Sequence, residues 1–481
     1  MKPPFVSHVL KSGGFIRACT KYTILTVFFM SMMLQCQSVK AEDLIEVYNL
    51  ARDNDPTFQS ERYRHEASPE TLKQAYSELL PAVNVDASYQ GTRQEIFHTS
   101  VAVFGESIAR FPSKGYNLTL TQPLFRYSSI MRVLQAKEEV KRADFEFEAA
   151  KQDLILRVAE AYIGALAAHD NLEFTRAEEE AVKRHFELAE GRYNSGLAPI
   201  TDYHDAKARL AYVTALRVRA ENRLDDALEA LAEVTGQKIE NPARLKSAPI
   251  SAKSETTKGV EYKPPQGGMP LVPPDPDDVN NWIDAALKQN LEVEALRQAV
   301  LVARREVDRQ RAGHWPTLTI VGRLNRDDEG GSLFGGESDV ETREAILQLN
   351  VPIFQGFFVT SKTREAKKLH AAVKQDLEKE IRVVKREARA SFLWVKSSIE
   401  NTEAFRQSVV SNKIALEAKK EGFKSGLFPS LAVLDAERDL HQAKLEYAKA
   451  QYEYISNSLR LKKAVGTLNE EDLAGINQWF E

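Results

Sequence analysis

The residues that could carry chemistry in this chain reduce to a few carboxylates. Its nine histidines never fall at metal-ligand spacing. No phosphate-cradling loop, dinucleotide fingerprint or Gly-x-Ser-x-Gly elbow occurs. His204-Asp205 reads most simply as a pair on a helix surface. An enzyme is therefore not expected, and no metal or cofactor is called for. What stands out is a stretch written twice, NSGLAPITDYHDAKARL at 194–210 and KSGLFPSLAVLDAERDL at 424–440. Gly196 and Gly426, Leu197 and Leu427, Pro199 and Pro429, and Asp205 and Asp435 each lie 230 positions apart. The first copy holds Asp202 and Asp205; the second keeps only Asp435. Carboxylates alone act electrostatically, attracting cations and repelling anions in a confined space.

The elements that position these acids are themselves duplicated. Leu80-Pro81 is answered by Trp315-Pro316, Pro123-Leu-Phe125 by Pro352-Ile-Phe354, and Gly236 by Gly466, at offsets of 235, 229 and 230. The sequence divides into a first repeat at 42–240, a Pro-rich connector at 241–279, a second repeat at 280–467 and a tail at 468–481. Residues 242–276 hold eight of the nineteen prolines and read as a surface connector without its own core. In the first repeat, helices are predicted at about 43–53, 56–80, 128–193 and 199–235, with two strands between the second and third. The second repeat reads as a helix at 291–314, strands at 316–326 and 341–353, then helices at 357–424 and 429–465.

Period-two alternation marks the strands: Val83, Val85, Ala87 and Tyr89 against Asn84, Asp86, Ser88 and Gln90. Tyr116, Leu118 and Leu120 form one such face, Leu318, Ile320 and Leu324 another, and Leu347, Leu349 and Val351 a fourth. One apolar and one polar face suit a barrel with lipid outside and water inside. The long helices span on the order of 100 Å, and the two shorter ones stacked end to end about 90 Å. Each duplicated turn is then the far tip of a long hairpin, with glycine stopping one helix and proline starting the next.

Bulk properties agree with an exported protein. Charge is balanced, 65 basic against 69 acidic residues, which gives no nucleic-acid-binding surface. Basic residues precede the apolar run TILTVFFMSMML at 23–34, and Val39-Lys40-Ala41 closes it. Residues 1–41 read as a secretory signal peptide, with a lipid-anchored start at Cys36 as the alternative. Beyond residue 41 no apolar run is long enough to span a membrane as a helix. Four strands cannot close a membrane barrel, since the smallest single-chain barrels use eight. Copies must combine, and a wet-lumened barrel on a hollow helical cylinder is a conduit.

The order of elements resembles the TolC-like outer-membrane factor family. The resemblance rests on Glu42-Asp-Leu-Ile-Glu-Val-Tyr48, Leu79-Leu-Pro81, Gly196-Leu-x-x-Ile-Thr-Asp202, Pro352-Ile-Phe-Gln-Gly356, Val433-Leu-Asp-Ala436 and Gly466-Thr-Leu-Asn-Glu470. It implies a mainly α fold with membrane β: a homotrimer whose two-strand repeats build a 12-stranded outer-membrane barrel on a periplasmic α-helical tunnel. It also implies a periplasmic adaptor protein and an inner-membrane pump of RND, ABC or MFS type. Drug efflux and type I protein secretion are the expected activities. Adaptors would contact the tips at Gly196, Leu197, Gly426 and Leu427. The family's namesake closes its entrance with an Asp-x-x-Asp pair in the second copy and a nearby Tyr and Arg. Here the matching pair is reduced to Ala432 and Asp435, and the Tyr and Arg positions hold Phe423 and Phe428. The resemblance thus places Asp435, Phe423 and Phe428 at an entrance with fewer polar links, beside Asp202 and Asp205 of the first copy. A constitutively open diffusion channel and a soluble periplasmic coiled-coil scaffold are the competing expectations.

Overall fold

The computed structural model describes residues 42–95, 97, 108–239, 242–245, 269–331 and 336–480. The expected signal peptide, with Cys19 and Cys36, lies outside the described residues, as does most of the connector. Two long helices set the length of the molecule: α3 (Tyr127–Asn194) and α7 (Phe358–Lys424), of 68 and 67 residues. Each runs roughly 100 Å at 1.5 Å per residue. Against α3 pack α2 (Pro56–Ser77) and α4 (Ile200–Thr235), and against α7 pack α6 (Leu291–Arg311) and α8 (Ser430–Val465). The expected boundaries hold to within a few residues.

Two short helices enter at the waist, α1 (Leu44–Asn54) and α5 (Val279–Gln289), each of 11 residues. α5 is absent from the sequence reading, because it lies at the edge of the Pro-rich stretch. It sits 235 residues after α1 and extends the duplication. Asp55 ends α1 and caps α2, and Asn290 ends α5 and caps α6 in the same way. The ends of α4 and α8 meet these joints through left-handed caps at Gly236 and Gly466. α9 (Glu470–Asn477), also absent from the sequence reading, is held by a capping box between Asn469 and Asp472.

The largest core lies at this waist. Leu154, Val158, Tyr162 and Leu166 of α3 pack with Leu44 and Val47 of α1, Leu231 of α4, and Ile455 and Leu459 of α8. The Tyr162 hydroxyl donates to the Ala243 carbonyl at 2.9 Å. Ile239, Ala243, Met269 and Leu271 are buried in the same core. The described ends of the connector are therefore built into the body, where the sequence suggested a surface wrapping alone.

At the far end lies one four-stranded antiparallel sheet in the order β1-β2-β3-β4: Ala82–Glu95, Ile108–Arg126, Thr317–Glu329 and Ser338–Asn350. Val85 pairs with Leu118, Leu118 with Leu324, and Leu324 with Arg343. Directly opposed residues share a face, so the apolar set lies on one side and Asn84, Thr119, Arg323 and Glu344 on the other. Along β2 the polar-side residues are half-buried and the other side is exposed, as a sheet curled around its polar face requires. β1 and β4 are open edges. Aromatics gather where strand meets helix: Trp315 lies 4.9 Å from Tyr127 and 6.4 Å from Phe125, and Phe354 is edge-on to Phe357.

The waist joint gives a direct test. A Cβ on Gly466 would sit 2.3 Å from the Gln289 carbonyl oxygen at φ +84°, whereas one on Gly196 at φ +68° meets open space. Both substitutions carry the left-handed penalty of about 1 kcal/mol. Gly466→Ala adds a backbone clash and should lower the melting temperature well beyond Gly196→Ala in thermal unfolding. Equal shifts would refute the joint.

Candidate functional site

The tips are built alike. Gly196 and Gly426 take φ of +68° and +77°. The Leu197 amide donates to the Arg192 carbonyl, and the Leu427 amide to the Gly422 carbonyl, both at 2.8 Å. These are two copies of a Schellman closure. In such a closure the residue after the glycine usually turns in against the last helical turn. Here Leu197 and Leu427 are 73% and 77% exposed. Two exposed leucines at the extreme end of the hairpins form an unpartnered apolar surface.

Behind the leucines the two tips enclose a cavity of about 170 Å³. Its walls include Leu188, Arg192, Asp202, Asp205, Phe423 and Leu431. The structure thus brings both first-copy acids and Phe423 of the second copy to one place. The Arg192 guanidinium lies 5.9 Å from the centre of the Phe423 ring, within cation–π range. A cationic link to this position exists after all, from the first hairpin, where neither Phe423 nor Phe428 suggested one. Phe428 lies apart from the cavity walls: its ring covers Gly422, where a Cβ would come within 2.3 Å of it. Asp435 is half-exposed and accepts an ion pair from Arg438 at 3.1 Å. Its charge is therefore partly neutralised within the chain, in place of the bare carboxylate the sequence suggested. On the first tip, Tyr203 stacks on Tyr193 at 5.5 Å and lies 5.6 Å from Phe186.

The most buried acid near the tips escaped the sequence reading. Glu437, on α8, is 7% exposed. Lys420 of α7 lies 2.8 Å from its Oε1, and His185 of α3 lies 3.4 Å from its Oε2. One carboxylate so ties the second hairpin to the first. Burial alone would push this carboxyl up, but the contacts with His185 and Lys420 outweigh it and hold it at about 2. One turn on, burial pushes His441 below the ordinary histidine value, helped by the nearby Lys444 charge. Apolar contacts reinforce the tie: Val182 of α3 and Val213 of α4 pack with Leu434 of α8. Glu437 lies two residues after Asp435 in a helix of mixed charge, and nothing in its spacing distinguishes it.

The comparisons with known proteins extend this geometry. The sequence matches the Outer membrane efflux protein family over residues 47–237 and 282–467, the two repeats. The chain belongs to the outer membrane efflux protein family. It is 36% identical over 442 residues to the outer membrane protein TolC of Vibrio cholerae, covering 92% of this chain and 94% of that one. To TolC of Escherichia coli it is 30% identical, covering 91% and 85%. Among solved structures, the Campylobacter jejuni CmeC outer membrane channel superposes with a TM-score of 0.71 at 17% identity, covering 92% and 90%. VceC of Vibrio cholerae gives 0.68 at 19%, covering 88% and 96%. The chain is thus an outer-membrane channel protein, with the tunnel-and-barrel fold of these efflux channels.

Glu437 supplies the test here. Its folded value lies below the ordinary 4.5, so its contribution is full above that range and lost as pH falls through about 2. The contact between hairpins, followed by disulfide trapping across the tips, should persist at pH 4. Above that range Glu437→Gln should weaken it by about 1–2 kcal/mol, because Lys420 is half-exposed and recovers solvation. Loss of trapping in the parent between pH 5 and 4 would contradict the assignment.

Proposed function

We propose that three copies of this chain close their sheets edge to edge into a twelve-stranded outer-membrane barrel continued by a periplasmic helical tunnel. The open edges carry this reading. β1 and β4, of 14 and 13 residues, are the outer strands of an antiparallel sheet of four. With an even strand count, β4 of one copy runs antiparallel to β1 of the next, so head-to-tail closure continues the same ladder. In lipid an unpaired backbone edge costs several kcal/mol per group, so the edges must meet. Barrel interior and tunnel then form one water-filled path.

The same path serves drug efflux and type I secretion. TolC relatives are joined by the alkaline protease secretion protein AprF of Pseudomonas aeruginosa, 28% identical over 447 residues, 93% of this chain and 89% of that one. A periplasmic adaptor would dock on the tips at Gly196, Leu197, Gly426 and Leu427, and an inner-membrane pump of the RND, ABC or MFS type would drive cargo. Asp202, Asp205, Asp435, Phe423 and Phe428 would form the entrance, with the Glu437 tie holding the hairpins together in the resting state. Residues 1–41 would direct export and be removed. Residues 241–279 would connect the repeats at 42–240 and 280–467.

Exposure of the two tip leucines supports the docking role. In a strain that depends on this protein for drug resistance, Leu197→Asp combined with Leu427→Asp should reduce resistance at least about tenfold. The amount of protein in the outer membrane should be unchanged. Unaltered resistance would remove the tips from the docking surface.

A further inference from the structure

The apolar band on the outer face of the sheet ends differently at its two margins. On that face β1 carries Val83, Val85, Ala87 and Tyr89, and β2 carries Tyr116, Leu118 and Leu120. β3 carries Leu318, Ile320, Gly322 and Leu324, and β4 carries Ala345, Leu347 and Leu349. Toward the helices the paired face ends on Phe125, Leu318 and Leu349 without a charge. Toward the loops every strand turns charged, and the first charged residue is always a cation: Arg93 on β1, Lys114 on β2, Arg326 on β3 and Arg343 on β4. All four are exposed.

These cations do not share one row of the sheet. Lys114 pairs with Asp328, Arg326 with Tyr116 one outward pair lower, and Arg343 with Leu324 one lower again. Arg93 lies higher, opposite Arg110. The descent from β1 to β4 follows the slope of the apolar band across the same register. The drop is two outward pairs from β1 to β2 and one at each later step; barrel strands cross the membrane tilted by roughly 35–45°, so such a falling line runs close to one depth in the bilayer. Carboxylates follow one outward step further out: Glu95 accepts from Arg93 at 3.0 Å, Glu341 from Arg343 at 2.6 Å, and Asp339 from the Arg326 Nε at 2.9 Å. Lys114 makes no ion pair among the described residues. Edge-to-edge closure leaves this face uncovered by other copies.

We infer that Arg93, Lys114, Arg326 and Arg343 form a cationic girdle that binds anionic phosphate headgroups of the outer leaflet. The assignment rests on the outer-membrane barrel reading, which puts the loop end outside. Cations at the hydrocarbon margin meet headgroup phosphates at the depth where those lie, and the low dielectric beside the hydrocarbon strengthens each pair. Carboxylates one step out keep the arginine side chains extended along the strands. The helix-side margin, aromatic and without cations, offers no equivalent.

The purified oligomer in neutral detergent would be exposed to equal amounts of phosphatidylglycerol and phosphatidylcholine, and the retained lipid counted by native mass spectrometry. The parent should retain phosphatidylglycerol over phosphatidylcholine by roughly tenfold, less at high salt. Lys114→Gln, which breaks no ion pair among the described residues, should reduce that preference about twofold. Lys114→Gln with Arg326→Gln and Arg343→Gln should bring it near one. Arg323→Gln, on the polar face and paired with Glu344 at 3.2 Å, should leave it unchanged. No preference in a parent that inserts and conducts would overturn the girdle alone, as would an equal loss in Arg323→Gln. A parent that neither inserts nor conducts would instead overturn the barrel reading beneath it.

Discussion

An unpaired strand edge cannot be left in hydrocarbon, and the rest of this structure follows from that constraint. The sheet presents two bare edges at β1 and β4. Within the chain neither can reach the other, because four strands are too few to curl shut around side chains. Closure must come from other copies, and that in turn fixes how the helices stand. Each copy hangs two helical hairpins from the same end of its sheet, so a closed ring of sheets carries a closed ring of hairpins. The long helices need no apolar stripe for lipid, and among the described residues none is apolar enough to cross a membrane.

Duplication supplies the hairpins; the two copies share the sheet through β2 and β3, and their helices meet at the waist and again near the tips. At the waist the joint is permanent: a continuous core, left-handed glycine caps wedged against the ends of α1 and α5, and a connector whose ends are buried. Near the tips the joint is slight. A buried Glu437 between Lys420 of its own hairpin and His185 of the other, a few apolar contacts and an arginine over a phenyl ring hold the second hairpin to the first. Interactions of this kind are strong enough to define a resting state and few enough to be broken together. The distribution of contact thus separates a densely joined waist from sparsely joined tips, which is what the proposed entrance requires.

Much of this could be read before the structure, because repetition and period are statistical properties of long segments. The long helices lack breakers, and the alternation on β1 and β2 is clean where lipid covers one face. The alternating face legible in the sequence begins at Tyr116, yet the strand runs back to Ile108. Beyond Tyr116 the outward residues are Lys114, Pro112 and Arg110, so alternation fails while hydrogen bonding to β1 continues. The short α5 was hidden by neighbouring prolines. At the site, glycine, leucine and aspartate at duplicated spacing were legible; Arg192 over Phe423 and Glu437 between His185 and Lys420 were not. Arg192–Phe423 and His185–Glu437 join residues more than two hundred positions apart, and no local pattern encodes which side chain of one repeat meets which of the other.

On the proposed function the conduit is closed at its hairpin tips rather than open throughout. Single-channel conductance of the purified protein in a planar bilayer, without partners, tests it most directly. A tip-closed duct predicts a small, cation-selective conductance that rises several-fold when Phe423 is replaced by alanine in the cavity between the tips. A large, steady conductance indifferent to that replacement would describe a passive open pore and contradict the account.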